Sequence, residues 1–158
     1  MAKRKARSKN GSADALQLLK EDHDAVKKAF KEFEKMDHED RATMQEFVRT
    51  VCQDLTVHAT LEEEIFYPAV REEIEDEDLM NEAKIEHDSA KQLIQQLESM
   101  DAEDPLFMAT FTVLGEYVNH HIEEEESEMF KEVRRADLDL HALGERMMER
   151  KEELLAAV

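Results

Sequence analysis

Six side chains able to hold a metal recur in register along this chain: His23, His58 and Glu62 are answered by His87, His121 and Glu125 at offsets of 64, 63 and 63 residues. In each set the second histidine follows the first by 35 or 34 residues, the length of one helix, a turn and the return helix. A carboxylate comes four positions later, in His58-Ala59-Thr60-Leu61-Glu62 and in His121-Ile122-Glu123-Glu124-Glu125. Residues i and i+4 share one helix face with Cβ atoms roughly 5–6 Å apart, so a single helix can present both groups to one ion or ion pair. The pattern predicts a duplicated helical hairpin built around a metal site.

The elements that must position these groups can be followed by their apolar stripes. From about Asp14 to Met36, Leu16, Leu19, His23, Val26, Phe30 and Phe33 step by threes and fours, the repeat of a helix facing a bundle core. Asp37-His38-Glu39-Asp40 turns the chain and caps a second helix carrying Met44, Phe47, Val51, Leu55, His58, Glu62 and Ile65. Pro68 is expected to end or bend that helix, with the acidic stretch Glu72 to Asp78 as the connection. A third helix, about Asp78 to Met100, runs Met80, Ala83, His87, Ala90, Ile94 and Leu97. Asp101 to Pro105 reads as a helix start with Pro105 in the first turn, and Phe107, Phe111, Leu114, Val118, His121, Glu125, Met129 and Phe130 follow. A fifth helix from about Asp137 carries Leu140, Leu143, Met147 and Leu154 and is expected to pack outside the other four.

The fold class is therefore all-α: an up-down-up-down four-helix bundle with an additional C-terminal fifth helix. At a rise of about 1.5 Å per residue, His23 and His87 lie roughly 13–15 Å into their helices. His58 with Glu62 and His121 with Glu125 lie comparably far from the ends of theirs. In an up-down-up-down bundle those starts and ends share one end of the molecule, so all six groups meet in one layer.

Composition agrees with a helical bundle. Charged residues are 39% and hydrophobic residues 41%, with 3 Gly, 2 Pro and no Trp among 158 residues, a balance suited to long amphipathic helices in a single domain. No apolar run approaches a membrane span, and the basic start lacks the apolar stretch of a secretory signal, so a cytoplasmic protein without membrane association is expected. Cys52 is the sole cysteine, which excludes an internal disulfide and a thiolate-rich cluster. The net charge of −19 understates the acidity of the body, because residues 1–13 hold Lys3, Arg4, Lys5, Arg7 and Lys9 and no acid. That segment reads as a disordered basic tail and residues 14–158 as the metal-binding domain. Such an acidic domain repels nucleic acid and attracts cations.

Two carboxylates among apolar neighbours sharpen the metal reading. Each buried ion costs several kcal/mol of desolvation, against a total domain stability of about 5–15 kcal/mol. Protonation, a local histidine–carboxylate network or bound cations could compensate, and a pair of divalent metals uses every group at once. Imidazole with carboxylate suits iron, manganese or zinc. A ferritin-type site would need Glu three residues before His, and no histidine here has one.

The ligand order resembles that of the hemerythrin-like HHE cation-binding family. The phrases that carry it are Leu18-Leu19-Lys20-Glu21-Asp22-His23, the run from His58 through Glu62-Glu63-Glu64-Ile65-Phe66-Tyr67-Pro68, Glu86-His87-Asp88, and the run from His121 to Phe130. The resemblance covers about residues 14–155. It implies two iron ions in an oxo- or hydroxo-bridged di-iron centre, with manganese or zinc as lesser alternatives. Glu62 and Glu125 would bridge, His23 with His58 would bind one ion, and His87 with His121 the other. The chain departs from oxygen-carrying hemerythrins at Lys91, where those have a second histidine, and Glu126 rivals Glu125 because their last carboxylate falls one residue later. The function implied is binding, sensing or reaction with dioxygen, peroxide or nitric oxide. Alternatives are a peroxide-consuming enzyme of oxidative stress defence and an iron homeostasis or iron–sulfur repair protein; whether the chain is an enzyme stays open, as does any protein partner.

Around the site, Tyr117 is expected as a core tyrosine with a pocket-lining role as the alternative, and His120 as surface or near-site. Glu86 and Glu124 are candidates to orient imidazoles, although exposed helix positions are the simpler account. His38 and His141 are expected to face solvent, and Cys52 to be a small core residue.

Overall fold

Five helical rods make up the computed structural model, which describes residues 13–158. The first rod is α1 (Ala15–Lys35). The second runs without a break through α2 (Arg41–Leu61), a π-helical turn (Glu62–Phe66) and α3 (Tyr67–Glu73). The third is α4 (Glu77–Ser99). The fourth repeats the second: α5 (Phe107–Glu124), a π-helical turn (Glu125–Met129) and α6 (Phe130–Arg135). The last rod is α7 (Leu140–Ala157). The basic tail lies outside the described residues apart from Ala13.

Aspartates start four of the rods. Asp14 accepts the amide of Gln17, whose side chain returns to the Asp14 amide as a capping box. Asp40, Asp76 and Asp139 accept the amides of Thr43, Leu79 and Ala142. Each such cap contributes about 1 kcal/mol by satisfying an amide that the helix cannot. The fourth rod starts differently: residues 101–106 form turns, so Pro105 precedes the helix rather than sitting in its first turn.

The α1 rod packs on α2 and α5, and α4 packs on the same two, which closes the bundle; α7 lies across α1, α2 and the first π turn. Two apolar clusters fill it. One gathers Leu19, Phe66, Val70, Met80, Phe130 and Val133 with Leu143 and Met147 of α7. The other gathers Phe30, Phe33, Met44, Leu55, Ile94, Phe111 and Leu114. His23 lies between Leu19 of the first cluster and Phe30 of the second, and the candidate ligands occupy the layer that divides them. Gly144 allows α7 to approach the start of α1, since a Cβ there would stand 2.8 Å from the Ala13 carbonyl oxygen.

Pro68 does not end its helix. The chain widens into a π turn at Glu62, where the Tyr67 amide bonds the Glu62 carbonyl, and Pro68 falls in the first turn of the resumed α-helix. A proline is tolerated there because its missing amide has no obligatory partner. Both π turns begin at a candidate carboxylate, and each absorbs one extra residue. Their signature is in the apolar spacing: His58, Glu62, Phe66 and Val70, like His121, Glu125, Met129 and Val133, advance by fours without the threes a 3.6-residue turn requires.

Candidate metal centre

Each of the four imidazoles is anchored from outside by a carboxylate on Nδ1. His23 pairs with Glu126 at 2.7 Å, His58 with Asp22 at 2.9 Å, His87 with Glu63 at 2.9 Å and His121 with Glu86 at 2.7 Å. With Nδ1–H donating outward, the neutral ring turns an Nε2 lone pair to the interior, the form in which histidine ligates metals. Each of these partners comes from a facing rod, which is why the acidic runs around Glu62 and Glu125 are not merely solvated faces. Glu86 was anticipated in this role; Asp22, Glu63 and Glu126 were not. Glu124 contacts no candidate imidazole and instead faces His120 at 3.6 Å.

Inside the layer, Glu62 and Glu125 are 0% and 1% exposed. Glu62 sets Oε2 3.4 Å from His58 Nε2 and Oε1 2.9 Å from His87 Nε2. Glu125 sets Oε1 3.2 Å from His23 Nε2 and Oε2 3.1 Å from His121 Nε2. Each carboxylate thus turns one oxygen to each histidine pair. The ligand-capable atoms fall into two groups, His23, His58, Glu62 and Glu125, and Glu62, His87 and His121, each within 4.8 Å. Between Glu125 and its rival Glu126 the geometry distinguishes plainly: Glu125 is interior, and Glu126 holds the far nitrogen of His23.

Acceptor faces acceptor throughout this layer, and that decides its electrostatics. Burial drives the His58 imidazole toward neutrality, yet Glu62 and Asp22 overcome it and push its pKa up to about 10. Burial likewise opposes, and Glu62 reverses, the shift of His87, which ends raised. His121 ends well above the ordinary histidine value, with burial outweighed by Glu125 and Glu86. Burial would raise the Glu62 carboxyl, but His58 and the groups bonded to it hold it well below the ordinary range. Without a cation the layer retains protons in its place. Even so, His23 Nε2, Glu62 Oε2 and Glu125 Oε1 are buried with no hydrogen-bond partner among the described residues. Such atoms cost several kcal/mol each unless something positive stands among them. The donor set fits a metal pair.

One residue at this centre escaped the sequence reading. The Tyr67 hydroxyl donates to Glu125 Oε2 and lies 3.3 Å from Glu62 Oε1, 3.0 Å from His121 Nε2 and 3.2 Å from His87 Nε2. Burial and the two carboxylates hold its pKa well above the ordinary tyrosine value, so it stays a neutral donor. The repeat carried the signal, because Tyr67 corresponds to Phe130 at an offset of 63 residues. Tyr67 lies against His87 and Phe130 stacks on His23, with centroids 5.2 and 6.0 Å apart. The two halves match in shape and differ by one hydroxyl. Tyr117, by contrast, is 51% exposed. His38, His120 and His141 are exposed and Cys52 is buried, as expected.

Residues 14–133 match the hemerythrin HHE cation binding domain. The chain belongs to that family. It is 31% identical over 117 residues to a protein of Nostoc sp. described as a DNA nickase, a match that takes in 74% of this chain and spans 32% of that protein's length. Among solved structures, a hemerythrin HHE cation binding domain-containing protein of Mycobacterium kansasii superposes with a TM-score of 0.77 at 22% identity, covering 91% of this chain and 88% of that one. The bundle is the fold of this family, and a cation-binding layer is its chemistry.

Beyond the imidazoles and their carboxylates stands a ring of outer basic side chains. Lys151 of α7 donates to Asp22 at 2.8 Å, Lys91 pairs with Glu63, Lys20 approaches Glu126 at 3.9 Å, and His120 approaches Glu86 at 3.6 Å. Lys91, which replaces a histidine of the oxygen carriers, therefore neutralises an anchoring carboxylate instead of entering the layer. Lys151 ties α7 to His58 through Asp22, a link the sequence reading did not foresee. Among the described residues, no helix is long and apolar enough to cross a membrane.

Proposed function

We propose that this protein holds two iron ions and uses them to bind, sense or react with a small oxidant: dioxygen, peroxide or nitric oxide. His23 and His58 would hold one ion, His87 and His121 the other, and Glu62 and Glu125 would span both. Supporting the reading above all is the set of partnerless interior atoms, His23 Nε2, Glu62 Oε2 and Glu125 Oε1, in a layer whose four imidazoles are aimed inward by outer carboxylates. Family membership supplies the cation; imidazole and carboxylate without thiolate suit iron, manganese or zinc, and the resemblance to hemerythrins selects iron among them.

When bound, iron supplies a redox couple and open positions for an exogenous ligand. The chain's own groups do the rest. Asp22, Glu63, Glu86 and Glu126 fix ring orientation and raise the basicity of each imidazole. Phe66 and Phe130 wall off water on one side. The Tyr67 O–H stands within 3.3 Å of both histidine Nε2 atoms of one half, placed to donate a hydrogen bond to a ligand seated there. A net charge of −19 repels phosphodiesters, which speaks against the nickase activity of the Nostoc protein in this chain.

The test is metal analysis of freshly purified protein with absorption spectra before and after oxygen, peroxide and nitric oxide. Two irons per chain and a spectral change with one of the oxidants are expected. His58→Ala should lower the iron content; unchanged iron and unchanged melting would sink the assignment. Peroxide loss that disappears in His58→Ala and Glu62→Gln would identify an enzyme, whereas a stable spectral change without turnover would identify a binding or sensing module.

A further inference from the structure

Directly beside the candidate metal layer the bundle holds a partly open cavity of about 490 Å³. Its floor is formed by all four imidazoles and Glu62; Glu125 and Tyr67 do not reach it. The centre is therefore closed by Tyr67 on one side and open to this chamber on the other. The walls are small and apolar: Val26 and Ala29 of α1, Leu55 of α2, Ala90 and Ile94 of α4 and Val118 of α5. Val26, Ala29 and Ala90 sit on the inward stripes of their helices yet remain partly accessible. A close-packed interior would cover them, so the space they face is open room within the bundle.

That room is too large for the partners named above. A water molecule takes about 30 Å³ of liquid, and a diatomic gas or peroxide is of similar order. Pockets of about 300–1,000 Å³ are the size range of organic ligands, lined mainly by apolar side chains with a few polar groups that fix orientation. The rim sets the charge of the guest. Asp22, Asp54, Glu86 and Glu98 border the chamber against two cations, Lys91 and Lys151, which are already paired with Glu63 and Asp22. Burial also raises the Asp54 carboxyl, with the charge of Asp22 adding to it. A carboxylate or phosphate head at the rim would meet Asp54 and Glu98, which make no ion pair among the described residues.

We propose that this chamber binds a neutral, apolar organic molecule, of the size of a medium-chain alcohol or a substituted arene, directly over the four imidazoles. As the place where that molecule meets the metal centre it rests on the function proposed above; as a binding site it stands on the walls alone. Metal-free and iron-loaded protein should both bind it.

Calorimetric titration with 1-butanol, 1-hexanol and 1-octanol tests this on full-length protein, with sodium hexanoate as the charged counterpart. Affinity should rise about fourfold per added CH₂ until the chamber is full, and hexanoate should bind at least tenfold more weakly than 1-hexanol. Ala29→Phe and, from the opposite wall, Ala90→Met should each weaken 1-hexanol at least tenfold while helical content is retained. Absence of saturable 1-octanol binding up to its solubility would overturn the proposal. So would hexanoate binding as tightly as 1-hexanol, or affinity untouched by both filling substitutions in folded protein. Should neither variant fold, the alcohol series and hexanoate still decide. Full iron without alcohol binding would remove the chamber's role alone, whereas alcohol binding in a protein that takes up no metal would remove the metal reading and leave the chamber.

Discussion

Tyr67→Phe removes a single oxygen from the middle of the proposed centre and leaves the ring packed against His87 and Phe66. In the metal-free protein that oxygen supplies a hydrogen bond to Glu125, a carboxylate 1% exposed, and lies within 3.3 Å of Glu62. A hydrogen bond to a charged group contributes about 1.5–3 kcal/mol, because the acceptor is otherwise left desolvated. A protein of this length shifts its melting temperature by about 2–4 °C per kcal/mol, so metal-free Tyr67→Phe should melt roughly 3–12 °C lower. If iron occupies the proposed site, loaded Tyr67→Phe should keep as much iron as the parent, since none of the six candidate ligands is touched, and should lose less stability because the ion would neutralise Glu125. Paired melts followed by circular dichroism, with and without chelation, measure both numbers. A metal-free variant melting within 1 °C of the parent would refute the hydroxyl–carboxylate bond. A larger loss in the iron-loaded form than in the metal-free form would refute the reasoning that iron and the hydroxyl compensate the same charge.

Further outcomes follow from the same geometry. Asp22→Asn keeps the side chain's size but removes the acceptor charge from His58 Nδ1, and should weaken metal binding about 10–100-fold in a chelator competition; Lys151→Met, one bond further out, should weaken it less. Burial, with Glu98 adding, pushes the Cys52 thiol from an ordinary 9.0 up to about 12. Folded protein should therefore resist alkylation at pH 8, and labelling at the rate of free cysteine would contradict the buried placement. Because the unfolded chain ionises that thiol first, its contribution to stability is intact below 9.0 and is lost as pH rises toward about 12; Cys52→Ala should flatten the alkaline limb of a pH–stability curve. Gly144→Ala forces a Cβ to 2.8–3.0 Å from the backbone of Ala13, Asp14 and Ala15. It should cost about 1–3 kcal/mol, seen as a lower melting temperature, and an unchanged melt would mean that α7 does not press on the start of α1.

The repeat, the helical stripes and the polar interruptions within them were legible in the sequence because helical periodicity is a local property: a residue's face follows from its spacing alone. That is why His23, His58, His87 and His121 could be brought to one layer with Glu62 and Glu125 before any coordinates. The cap of the second helix was legible in the turn that ends at Asp40, whereas Pro68 does not end its helix and Pro105 precedes the next one, since what a proline does depends on where its missing amide would have pointed. What tertiary structure alone decided is everything set by the approach of one rod to another. Two π turns each shift the register by one residue, and the first brings Tyr67 inward, although by α-helical spacing it belongs elsewhere. Asp22 meets His58, Glu63 meets His87 and Lys151 meets Asp22 across helices far apart in sequence. Small side chains on four walls leave a chamber whose existence no single stripe encodes, because an empty volume is a property of facing surfaces and not of any one of them.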